Sequence, residues 1–118
     1  MEGLEKWRKL DVWLEAHKLV LEVYKITELF PKHELYSLVS QMRRAAISVV
    51  ANIVEGTKRA TTKDRVHFYT MADTSLEEVK YYFILAYHLK YIDQQKAGEL
   101  TKIARKVGRM LNGLMKCQ

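Results

Sequence analysis

A single proline, Pro31, is the only residue in the chain that breaks a helix outright, and five glycines are spread over 118 residues. Proline lacks an amide hydrogen and disfavours helix at the residue before it. Glycine supplies the backbone freedom that tight turns need. With so few of either, the chain has little room for many short strands and hairpins. A few long elements are predicted instead. Hydrophobic residues make up 48% and charged residues 29%, which suits one globular unit spanning residues 1–118.

The periodicity makes those elements helices. Trp13, Ala16, Leu19, Val20, Val23, Ile26 and Leu29 or Phe30 recur at steps of three and four, as one helix face requires. That first helix is expected from about Leu4 to Leu29, with Pro31 ending it. A second helix is expected from about Glu34 to Glu55. Its Leu35, Leu38, Met42, Ala45, Val49 and Asn52 follow a seven-residue repeat, and Gly56 is placed to stop it. Thr61 and Asp64 read as a cap for a third helix reaching about Tyr91. One stripe of that helix is Phe68, Ala72, Leu76, Val79, Phe83 and Ala86; a second is Met71, Ser75, Tyr82, Leu85 and Leu89. Asp93 caps a fourth helix, with Ala97, Leu100, Ile103, Val107, Met110 or Leu111, and Leu114 as its apolar face. The links are expected to be about four, six, and two or three residues long. Short links force antiparallel neighbours, so the predicted fold is all-α, an antiparallel up-down four-helix bundle.

The stretch Ala45–Val54 is apolar nearly all round. A helix without a wet face is buried on several sides. In a four-helix bundle that implies packing against another subunit, hence a homo-oligomer. A polar strip accompanies it: Gln41, Arg44, Ser48, Asn52, Glu55 and, past the turn, Arg59. Either Ser48 and Asn52 are satisfied inside the bundle and fix its register, or the strip lines a groove that contacts a ligand or RNA.

Net charge is +6, and its placement is uneven. Residues 1–56 hold eight Lys/Arg against eight Asp/Glu, while residues 57–118 hold twelve against six. Two clusters carry the excess. Lys58, Arg59, Lys63 and Arg65 surround the second turn. Lys102, Arg105, Lys106 and Arg109 share a face of the fourth helix by spacing. Such a run is either a solvated helix face or the electrostatic footprint of phosphate binding. Tyr81, Tyr82, Phe83, Tyr87 and Tyr91 crowd the third helix. They either fill core and interface or stack on unpaired bases.

Enzyme chemistry has no foothold in the sequence. None of His17, His33, His67 and His88 follows a Glu by three residues, the pattern of di-metal bundles, so no metal or cofactor is expected. Gly56-Thr57-Lys58 follows a helix and lacks the upstream glycine of a phosphate loop. Cys117 is the only cysteine, so no internal disulfide is possible and it is read as a terminal surface residue. With no secretory leader and no span of roughly 18 apolar residues, the protein is expected to be cytoplasmic, without membrane contact.

The string Gln41-Met42-Arg43-Arg44-Ala45-Ala46-Ile47-Ser48-Val49-Val50-Ala51-Asn52-Ile53-Val54-Glu55-Gly56, followed by Arg59, resembles the four-helix bundle proteins encoded in intervening sequences of large-subunit ribosomal RNA genes, also called the S23 family. Asp11-Val12-Trp13 with Ala16, Phe30-Pro31 and Ser75-Leu76-Glu77-Glu78 extend the resemblance over nearly the whole chain. Two positions depart from it: Val50 stands where the family often has proline, and Thr74 where it often has glycine. The family is similar to the pentameric accessory proteins of diversity-generating retroelements, which bind nucleic acid and a reverse transcriptase. The resemblance therefore implies a homopentamer with basic outer surfaces. It marks Gln41, Arg43, Arg44, Ser48, Asn52, Glu55 and Gly56 as family or interface positions. Two functions are expected to compete: RNA or DNA binding through the basic residues, and a protein-docking scaffold that touches no nucleic acid.

Overall fold

The computed structural model describes residues 5–118, the side chains of Arg8 and Lys9 excepted. Four helices form a bundle: α1 (Asp11–Thr27), α2 (Ser40–Lys58), α3 (Thr62–His88) and α4 (Gln94–Lys116). Each packs against its two neighbours in the cyclic order α1, α2, α3, α4. Cross-links at the two ends fix the antiparallel sense. Arg65, at the start of α3, donates to Gln118 beyond the end of α4. Tyr91, past the end of α3, donates to Glu34 before α2 at 2.7 Å. The long axis of 43 Å is set by α3, whose 27 residues at 1.5 Å rise give roughly 40 Å.

The buried faces follow the predicted period, with corrections where the backbone departs from α geometry. The first helix is not continuous from Leu4, which lies outside the described residues. A 3₁₀ turn, Lys6–Lys9, is separated from α1 by Leu10 in extended conformation. That break brings the Trp7 ring to within 5.3 Å of Trp13, which residues six apart on one α-helix cannot achieve. At the other end, Phe30 rather than Leu29 closes the core, 7% against 86% exposed. The chain has already left the helix after Thr27.

Before α2 lie a 3₁₀ turn, Lys32–Glu34, and a π turn, Leu35–Val39. The wider π turn shifts the phase of the seven-residue repeat. Leu35 moves outward, and Val39 joins Leu38, Met42, Ala45 and Val49 in the core. Gly56 does not stop α2, which runs on to Lys58. It is buried inside the helix, because the Tyr69 ring lies on its Cα. A Cβ there would overlap Tyr69 Cε1 and come within 2.7 Å of Cδ1. Only glycine permits that approach. The link to α3 is accordingly three residues, Arg59–Thr61, instead of six.

Thr61 caps α3 as expected, its Oγ1 accepting from the Asp64 amide at 3.1 Å. The core stripe of α3 begins at Tyr69, which fills the dent at Gly56, and not at Phe68. From the second stripe Ser75 is buried, but Met71 and Leu89 are exposed. The helix ends at His88 and not near Tyr91. Lys90 adopts φ 67°, and the Tyr91 and Lys90 amides donate to Ala86 and Tyr87 carbonyls. This is a Schellman ending with lysine in the left-handed position usually held by glycine. It lengthens the last link to five residues, Leu89–Asp93. Asp93 caps α4 through the Lys96 amide at 2.7 Å. Leu100, Ala104, Val107 and Leu111 complete the core.

Candidate nucleic-acid interface

The polar strip on α2 divides in two. Gln41, Arg44, Ile47, Ala51 and Glu55 face outward along one line. Ser48 and Asn52 turn toward α3: Ser48 Oγ lies 2.9 Å from Ser75 Oγ, and Asn52 Nδ2 donates to the Ser48 carbonyl and hydroxyl at 2.9 and 3.1 Å. The Ser48–Ser75 bond crosses between the helices, and Asn52 bonds to Ser48 within α2. Arg43 is committed to α1, where its Nε donates to Thr27 Oγ1 at 3.0 Å and its guanidinium lies 4.4 Å over the Tyr24 ring. Arg44 keeps an exposed head beside Tyr36 and Ile47. Ile47 and Ala51 leave the predicted all-round apolar helix with one open face in the single chain.

At the α2–α3 turn the four cations play unequal parts. Arg59 pairs with Glu55 at 2.9 Å and covers the Phe68 ring at 4.4 Å. Arg65 is spent on the Arg59 and Ala60 carbonyls, Thr62 and Gln118, and so braces the turn. Lys58 and Lys63 extend from this end without an ion pair among the described residues.

The α4 cluster is also split. Lys106 reaches α1 and pairs with Glu15 at 3.2 Å. Lys102, Arg105 and Arg109 turn the other way and line the open groove between α3 and α4, about 700 Å³ in volume. Ile84, Tyr87 and His88 of α3 line it as well. No carboxylate is among its lining residues, and none pairs with these three cations among the described residues. From the sequence His88 was weighed only as a metal ligand and Ile84 was not singled out, because both lie off the core stripe of α3 and only the pairing with α4 gives them a shared groove. The turn cations Lys58 and Arg65 line a different hollow, with Trp7, Tyr69 and Leu114. The eight candidate cations therefore form two separate sets.

Among the described residues, no group of three or more His, Cys, Asp or Glu side chains could hold a metal ion. No helix of the described residues is long and apolar enough to cross a membrane. Cys117 is exposed with a free thiol at the end of α4.

Residues 8–113 match the family model of the 23S rRNA-intervening sequence protein. The chain belongs to that family. The same bundle is seen in a solved structure of a protein of unknown function from the S23 ribosomal protein family of Bacteroides thetaiotaomicron. That structure superposes with a TM-score of 0.82 at 17% identity, covering 89% of this chain and 98% of the other. At that identity the likeness establishes the fold. Among curated proteins, no sequence matches this member of the family.

Proposed function

We propose that this chain is a non-enzymatic, single-domain, cytoplasmic bundle that assembles with copies of itself and binds RNA or DNA through a basic surface. The observation that carries the reading is the α3–α4 groove, where Lys102, Arg105 and Arg109 stand together without a carboxylate. Unbalanced positive charge on one face raises the local concentration of polyanions and displaces their counterions. Lys58 and Lys63 form a second, smaller contact at the α2–α3 turn. Arg59, Arg65 and Lys106 belong to the fold more than to the ligand, since each is already engaged.

Self-association is supported by the apolar residues left open, Ile47 on α2 and Leu14 and Leu21 on α1, each about half exposed. By resemblance to retroelement accessory proteins the assembly is a homopentamer, and a reverse transcriptase is the analogous protein partner. The same open residues favour the second reading, a protein-docking scaffold that touches no nucleic acid.

Two measurements test these readings. A particle mass near 13.9 kDa at micromolar concentration would remove the homo-oligomer. For binding, a labelled structured RNA and a DNA duplex are titrated across a salt series with wild type and with Lys102, Arg105, Lys106 and Arg109 changed to Ala. Affinity that falls with salt and is lost in the variant supports the groove. No binding at low salt, where electrostatic attraction is strongest, leaves the docking scaffold.

A further inference from the structure

We infer that the α3–α4 groove takes a single unpaired strand, RNA or DNA, with its phosphates along α4 and a base against Tyr87. This rests on the nucleic-acid reading above and narrows it. The cations sit in a trough and not on a ridge. Lys102, Arg105 and Arg109 occupy successive turns of α4, spanning roughly 10 Å along the axis. The facing wall is apolar and aromatic, with Ile84 52% and Tyr87 39% exposed.

A duplex keeps its bases stacked inside and presents phosphate to such a trough. Phosphate set against Ile84 and Tyr87 would lose hydration without a partner there. An unpaired strand carries both chemistries at once: phosphates for the cations, and base faces that cover the apolar wall. A basic groove with an aromatic platform is the recurring physical solution for single strands. Of the two phenyl rings that line the groove, Phe83 is buried and Tyr87 is open. Arg59 already covers Phe68 and Arg43 already covers Tyr24, each at 4.4 Å. The ring neighbour of Tyr87 is the adjacent His88, 5.6 Å away, and no cation lies over it among the described residues.

The test uses fluorescence anisotropy with the full chain and four short probes of equal length: oligouridylate, oligothymidylate, an abasic strand and a DNA duplex. Both base-bearing strands are expected to bind more tightly than the abasic strand and the duplex at the same salt. Tyr87→Leu is expected to weaken the single strands by about five- to a hundredfold, while Tyr87→Phe retains binding. The RNA and DNA arms show which backbone is preferred. If the duplex or the abasic strand binds as tightly as the base-bearing strands, the single-strand inference is overturned while nucleic-acid binding stands. If no probe binds at low salt, both fail. Single-strand binding that survives removal of Lys102, Arg105 and Arg109 together places the site elsewhere and overturns the assignment to this groove.

Discussion

The Tyr69 ring lies directly on the Cα of Gly56 and fills the space where α2 has no side chain. Tyr69 is 2% exposed and has little room to swing away. Gly56→Ala gains helix propensity of about 1 kcal/mol but forces an overpacked contact costing about 1–3 kcal/mol. The expected net is a loss of stability, read as a lower denaturant midpoint. In a Tyr69→Ala background the same change should cost nothing further, because the ring it strikes is gone. Equal losses in both backgrounds would show that the contact is not the cause.

Lys90 holds a left-handed conformation that costs an L-residue roughly 1–2 kcal/mol. Lys90→Gly removes that strain but loosens the unfolded chain by about 0.4–1 kcal/mol. The expected outcome is a gain of about 0.5–1 kcal/mol in chemical denaturation. Lys90→Ala, which keeps the strain, should show no such gain.

The bond from Tyr91 to Glu34 ties the α3–α4 link to the entry of α2 and makes stability depend on pH at both extremes. The Tyr91 hydroxyl, then that of Ser37, holds the Glu34 carboxyl below its ordinary value of 4.5. A lowered carboxyl stabilises the fold above that ordinary value and loses the contribution as pH falls through its folded value. The same bond, with burial adding to it, raises the Tyr91 phenol above 10.0. A raised phenol contributes below its ordinary value and loses the contribution as pH rises through the folded one. Wild type should therefore exceed Tyr91→Phe in stability between these limits, and the gap should close on both sides. A pH-independent gap in thermal unfolding would contradict this.

Ser48 and Ser75 face each other at 2.9 Å between α2 and α3. Ser48→Ala strands the buried Ser75 hydroxyl and should cost about 1 kcal/mol. Changing both to Ala removes donor and acceptor together and should cost less than the single change. Urea unfolding of wild type, Ser48→Ala, Ser75→Ala and the double variant gives the coupling directly.

Lys106 and Arg105 are neighbours in sequence that point to different helices. If the groove binds nucleic acid, Arg105→Ala should weaken binding while Lys106→Ala, whose partner is Glu15, changes it little. Removing Lys102, Arg105 and Arg109 together should reduce the slope of log affinity against log salt by about 2 for a single strand. Equal effects of the two single variants would return the site to the convex face of α4.

Periodicity was enough to read the bundle. Leu19, Val23, Val49, Leu76, Phe83, Leu100 and Val107 stand on predicted stripes and are buried. A helix face repeats every 3.6 residues whatever it packs against. The caps at Thr61 and Asp93 were equally legible, because a capping bond is local. Helix ends without such local chemistry were not. Gly56 looks like a stop by residue type alone, and the ring that makes it an interior packing position comes from α3. The ending of α3 at His88 is completed by a left-handed Lys90, a residue that carries no such signal. The cations show the same division. Their number and their bias toward residues 57–118 are properties of the sequence. Which of them are spent on Glu15, Glu55 or backbone carbonyls, and which three share a trough with Ile84 and Tyr87, was decided by helices meeting in space. Spacing along one helix fixes an angle about its own axis, and only the neighbouring helix determines what that angle faces.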